Sequence, residues 1–398
     1  MGTIRAVLGA KPENPNVPIH RYGLENAERA RAWCRSFPEY RQTPLANLDD
    51  LASHLGVASL KVKDESERFG LNAFKVLGGS YAMGRVLAQR LGRELSDLPY
   101  PVLTSDETRE ALGTLTFVTA TDGNHGRGVA WTANRLGLQS VVYMPRGSAR
   151  ERLKNIQALG ANARITDLSY DDAVRFAAAQ AEEHGWVLVQ DTSWPGYEEI
   201  PSWIMEGYTT MGAELLEQLN GAIPTHVFLQ AGVGSMAGAM AAFLANHYGE
   251  SRPMVLIVEP EGADCIYRTA AADDGTLHAV KDPHTIMAGL SCGEPCGIAW
   301  KILHQYADAF LTIPDEVAAT GMRILGNPLG SDRRIISGES GAATLGTVAE
   351  LLRRDCYAPL RRSLRLGADA RIVCISTEGD TDRDNYRHVV WDGRYASN

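Results

Sequence analysis

Residues 115–144 read LTFVTATDGNHGRGVAWTANRLGLQSVVYM. The first six are rich in β-branched and aromatic side chains, and they run into Thr121-Asp122-Gly123-Asn124, a cluster of turn and cap formers. A helical stretch over 124–137 follows, then a second apolar run at 140–144. Strand, helix and strand joined by short turns predict a βαβ unit with its strands parallel in one sheet. The alternation continues outward through helix 148–159, strand 162–167, helix 170–184 and strand 187–190. A second series follows the loop 191–203. It comprises helix 203–219, strand 226–230, a glycine loop at 232–238 with helix 236–247, strand 254–259, helix 297–307, strand 309–313, helices 315–327 and 340–354, and strand 371–376. Upstream, 40–50 reads as a loop entering the fold, 60–65 as a short strand and 76–91 as a helix. The stretch 261–295 is irregular, and its length points to a functional loop. The class is α/β with two packed units.

Bulk properties narrow the function. The 398 residues carry a formal net charge of −9 and include no Lys/Arg-rich run, which argues against nucleic acid and anionic membrane surfaces as partners. No apolar stretch approaches the roughly 20 residues that a membrane helix needs. The first residues contain too short an apolar region for a signal peptide. Six scattered cysteines do not make a disulfide framework, and Cys292 and Cys296 have no second pair to complete a metal site. The expectation is a cytoplasmic protein without a bound metal. Cys265 and Cys292 could pair only if the fold brought them together.

Four segments carry chemistry. Lys75 lies in Phe74-Lys75-Val76-Leu77-Gly78-Gly79, a lone cation among apolar and small residues. Burial disfavours an ammonium, and a neutral lysine is a nucleophile able to form a Schiff base. Thr121-Asp122-Gly123-Asn124-His125 closes a strand and opens a helix, where backbone N–H groups attract anions. In isolation that turn is a well-capped helix, and His125 reads as a packing or hydrogen-bonding residue. Gly232-Val233-Gly234-Ser235-Met236-Ala237 is a second strand-to-helix turn. It suits a phosphate, but it also fits the G-x-G-x-x-A dinucleotide fingerprint, with Glu259 ending the next strand. An NAD(P)-dependent oxidoreductase is therefore a rival reading. Ser376 and Thr377 end the last strand, at the sheet edge where ligands bind in parallel α/β folds.

In order and spacing these segments resemble the tryptophan synthase β-like family, the fold type II pyridoxal-phosphate enzymes. The resemblance implies two three-layer α/β/α domains with the active site between them. The large domain would comprise 1–85 and 200–398, and the small one 86–199. It further implies pyridoxal 5'-phosphate held by Lys75, Asn124 facing the ring hydroxyl, Gly232, Val233, Gly234, Ser235, Met236 and Ala237 around the phosphate, and Ser376, in preference to Thr377, at the pyridine nitrogen. The strings 63–75, 121–128, 190–194, 285–290 and 375–382 are similar to the diaminopropionate ammonia-lyases within that family. Asp122 stands where serine/threonine dehydratases, the runner-up, usually carry a small or uncharged residue. That likeness implies elimination from D- and L-2,3-diaminopropionate to pyruvate and two ammonia. Lys75, Asp122 and Asp191 become the catalytic candidates, Thr121, Asp122 and Asp191 the substrate contacts, and a homodimer the expected assembly.

Overall fold

The computed structural model describes residues 2–10, 16–121 and 123–396. Two sheets organise them. A seven-stranded sheet is built from β1 (Arg5–Leu8), β2 (Leu45–Asn47), β3 (Ser59–Asp64), β8 (His226–Gln230), β9 (Met254–Pro260), β10 (Ala309–Ile313) and β11 (Arg371–Ser376), in the order β1-β10-β9-β8-β11-β3-β2. The five inner strands are parallel, and the two edge strands run antiparallel to their neighbours. A four-stranded parallel sheet holds β4 (Thr116–Ala120), β5 (Gln139–Met144), β6 (Asn162–Ile165) and β7 (Val187–Leu188), in the order β6-β5-β4-β7.

Every residue of β4, β8 and β10 is buried, as expected for parallel strands covered by helices on both faces. The helix Glu199–Leu219 is itself buried along most of its length and forms part of the core between layers. It starts four residues before the expected 203, because Pro201 falls in the first turn, where its missing N–H costs nothing. The expected loop at 40–50 contains β2 and the start of the helix Asp49–Leu55. The stretch 261–295 contains the helix Cys265–Ala272. Strand β7 is two residues long, shorter than the expected 187–190.

The connection from β3 to the helix Val76–Leu91 positions the lysine of interest. It passes through a short 3-10 segment, Glu65–Gly70, and three left-handed residues, Phe69 (φ 52°), Gly70 (φ 69°) and Asn72 (φ 60°). Beneath it lies a closed group of four charges. Arg68 donates to both oxygens of Glu65, at 2.8 Å each, and to both oxygens of Glu214, at 2.7 Å each. Lys63 Nζ donates to Glu214 Oε2 at 2.6 Å and to the Thr43 carbonyl at 2.7 Å. All four side chains are fully buried, and two acids balance two bases. Lys75 immediately precedes the helix, as its N-cap residue.

Candidate active site

The C-terminal ends of the parallel strands and the helix starts that follow them line a cleft. Lys75 and Phe74 form one wall, Asn124 and Asp191 reach in from the four-stranded unit, and residues 230–236 form another wall with Thr377 and Glu378. Lys75 Nζ donates to Asp191 Oδ2 at 2.8 Å. The amine is thus not isolated among apolar groups, as its sequence neighbours suggest; it has a carboxylate partner 116 positions away. Asp191 Oδ1 accepts from Tyr170 Oη and Gln190 Nε2, each at 3.3 Å, and its carbonyl accepts from Ser235 Oγ at 2.6 Å. Burial alone would raise the Asp191 carboxyl. The charges of Lys75 and then His125, with the Lys75 hydrogen bond, outweigh it and hold the group well below the usual carboxylate range.

Asn124 is the first residue of the helix Asn124–Leu136, and its Nδ2 donates to Glu378 Oε2 at 2.5 Å. The Glu378 carboxylate also accepts from the Ser340 backbone N–H and Thr381 Oγ1, at 3.2 Å each. His125 Nε2 lies 2.8 Å from the Val189 carbonyl, a hydrogen-bonding contact with the core. Gly234 caps the helix Ser235–Tyr248 at φ 97°, and it offers no side-chain cap to that helix start. A Cβ on Gly232 would come within 3.0 Å of Cys292 Sγ and 3.2 Å of the Gly289 carbonyl, so only glycine leaves the backbone this close to the wall.

Three expected site residues, Ser376, Thr121 and Ala237, do not line the cleft. Ser376 Oγ donates to Ser337 Oγ at 2.8 Å and is fully buried away from the cleft. Thr377, one residue on and therefore facing the other way, is on the wall and accepts from Gln230 Nε2 at 3.0 Å. Thr121 Oγ1 accepts from the N–H groups of Gly123 and Gly126 and so ties down its own turn. Ala237 is buried within its helix and off the wall. Asp122 lies outside the described residues. Sequence reasoning did not single out Tyr170, Gln230 or Glu378. Glu378 alone had a readable signal, because it follows Thr377 directly. Cys265 and Cys292 are both thiols and lie on either side of Gly232, with Cys265 Sγ 3.8 Å from its carbonyl.

The donor set fits pyridoxal phosphate. It offers an amine for the aldehyde, an uncapped helix start for the phosphate, and an amide and a hydroxyl for the polar ring atoms. Tyr208 Oη on the same wall is buried without a partner. The dinucleotide reading fails at Glu259. That carboxylate is fully buried and accepts the N–H groups of Ile266 and Tyr267 at 2.9 and 2.6 Å, so none of it faces a ribose. A model of the family described as "Pyridoxal-phosphate dependent enzyme" matches residues 37–378. The chain belongs to this family. Within the family it groups with the diaminopropionate ammonia-lyases. The Salmonella typhimurium enzyme is 50% identical over 370 residues, 92% of each chain. The solved structure of the Escherichia coli enzyme in complex with D-serine superposes with a TM-score of 0.93 at 46% identity, covering 99% of this chain and 98% of that one. A biosynthetic L-threonine dehydratase of Escherichia coli is more distant, at 26% identity over 326 residues, 81% of this chain and 55% of that one. Pyridoxal phosphate is therefore the cofactor and the chain is a lyase. Among the described residues, no helix is long and apolar enough to cross a membrane.

Proposed function

We propose that this chain removes both amino groups of 2,3-diaminopropionate, the second by hydrolysis with one water, giving pyruvate and two ammonia. The observation that carries the reading is the Lys75–Asp191 pair in a cleft walled by Asn124 and the 232–236 turn, in a chain half identical to curated enzymes of that name. Lys75 would hold the cofactor through Nζ. The uncapped helix start after Gly234, with Gly232, Val233, Ser235 and Met236, would hold its phosphate, and Asn124 and Thr377 would address the ring. When bound, pyridoxal phosphate supplies a sink for the electrons left on the substrate α-carbon.

The protein's own groups then divide the remaining work. Lys75 Nζ, released when the substrate amine takes its place, accepts the α-proton of one enantiomer. Asp191, whose Oδ2 accepts from Lys75 Nζ at 2.8 Å, is not the group assigned to that proton. It serves instead as a fixed negative charge, first for the Lys75 ammonium and then for the distal ammonium of the substrate. A serine hydroxyl can only hydrogen-bond to that carboxylate, whereas an ammonium is attracted by its full charge, so the carboxylate favours a diamino acid inside a dry cleft. Asp122 would be the base for the opposite face, which is how one site would accept both D and L forms. The reading includes a homodimer located in the cytoplasm.

The deciding experiment is pyruvate release from D- and L-2,3-diaminopropionate, measured against serine and threonine with the yellow, cofactor-loaded protein. Faster release from serine or threonine than from either diamino acid would move the assignment to the dehydratases. Asp122→Asn is expected to lower turnover of the D substrate by about a hundredfold, in the range for a positioned base. The L substrate should change little and the cofactor spectrum should persist. Equal losses on both enantiomers would end the face-specific role of Asp122.

A further inference from the structure

The helix Asn124–Leu136 does more than present Asn124. A Cβ on its Gly128 would fall 2.8 Å from Val76 Cα and 3.0 Å from Val76 N, so this helix rests directly on the backbone just after Lys75. One residue earlier, Arg127 Nη1 donates to the Leu71 carbonyl at 2.9 Å. That carbonyl belongs to the left-handed turn that feeds Lys75, next to Asn72 at φ 60°. The turn's other long-range bonds go to the strand end of the large sheet. They are Phe74 N to the Thr377 carbonyl at 3.1 Å, Gly379 N to the Asn72 carbonyl at 3.0 Å, and Asn72 Nδ2 to Asp380 at 3.0 Å. Among the described residues, Arg127 supplies the hydrogen bond that reaches this turn from the four-stranded unit.

The arrangement is an expensive one. Arg127 Nε is buried without a partner, and among the described residues no carboxylate stands within ion-pair distance of its guanidinium. Burial, and next the charge of Arg383, lower its pKa, while Glu151 only partly offsets them. A half-buried cation with a buried, unpartnered Nε among the described residues, spent on one backbone carbonyl, is a local rule broken without local compensation, which marks a functional position.

We propose that Arg127 is a positioning residue for Lys75. It clamps the Leu71 carbonyl so that the amine carried by the large sheet and the Asn124 amide carried by the small one keep a fixed separation across the cleft. The proposal rests on the cofactor reading above. It is tested with Arg127→Met in the full-length, cofactor-loaded enzyme. A reacting group displaced by an ångström or less loses rate steeply, so kcat should fall about tenfold or more while KM stays within about twofold. The visible cofactor band should persist. Amides 71–76 should exchange about ten times faster, while those of β8 and β9 keep their protection. Arg127→Lys, which retains a cationic donor, should recover part of kcat. Arg127→Gln, a smaller change, should show the same local effect and decides the matter if the methionine variant does not fold. Parental exchange at 71–76, or a rise in KM with kcat unchanged, would overturn the proposal. A parent protein with no visible band would strike at the cofactor assignment alone, and the exchange measurement would still decide the role of Arg127.

Discussion

Alanine in place of Lys75 is expected to remove the long-wavelength absorption of the cofactor-loaded protein and to cut turnover by at least about a thousandfold, as loss of a covalent nucleophile does. Among the described residues lining the cleft it is the sole amine, so no neighbour can take over. The substitution also removes the cation 2.8 Å from Asp191, leaving that buried carboxylate with His125 Nδ1 at 3.9 Å as its nearest ionisable nitrogen. Its carboxyl should therefore rise from its present low position. Lys75→Arg is the informative companion. It keeps a positive charge beside Asp191 but cannot lose its proton near neutrality, so it should preserve the fold and still fail to bind the aldehyde. A visible spectrum unchanged in the alanine variant would overturn Lys75 as the attachment point.

The second large effect falls on stability. Arg68→Met is expected to cost about 3–5 kcal/mol, the usual penalty for breaking a buried ion group by removing one member. Arg68 holds four carboxylate contacts of 2.7–2.8 Å with no exposed surface, and without it Glu65 and Glu214 keep only Lys63 as a counter-charge. The loss would appear as a lower denaturation midpoint with an unchanged denaturant slope. The same group sets an acid dependence. Burial pushes Glu214 up, but Arg68 and then Lys63 outweigh it and bring the carboxyl down to about 2 from an ordinary 4.5. A carboxyl lowered on folding stabilises the native state fully above its unfolded value, and that contribution fades as pH falls from 4.5 towards 2. Glu214→Gln should accordingly be less stable at pH 7 and flatter across that window. A variant as stable as the parent at pH 7 would show that the four charges are no better than neutral packing.

Much of this fold is readable because strands buried on both faces appear as unbroken apolar runs. His226–Gln230, Met254–Pro260 and Arg371–Ser376 stand out for that reason. β1 and β2 do not, since they are four and three residues long, largely exposed or half-buried, and paired only at the sheet's two edges. The site shows the same division. Lys75, Asn124 and the 232–236 turn sit where strands or turns hand over to helices, a position with its own sequence signature. The preference for Ser376 over Thr377 has no local basis, because side-chain direction at a strand end depends on a register that only the neighbouring strands fix. The approach of Tyr170 to Asp191 comes from packing a helix start against the end of β7, and nothing local to either residue announces it.

The strand order also has a consequence for how the molecule is made. β11 lies between β8 and β3, so the middle of the large sheet is filled by a strand made after the other ten among the described residues. The four-stranded sheet is continuous in the chain and can close while synthesis is still under way. β3 and the lysine turn must wait for a partner about three hundred residues downstream, and such distant closures are slow and leave edges unpaired in the meantime. Thr377 and Glu378 arrive with that strand, so the far wall of the cleft exists only once β11 has been made. A complete cleft thereby requires β11, and a chain cut before Ser376 would carry its lysine opposite an open gap.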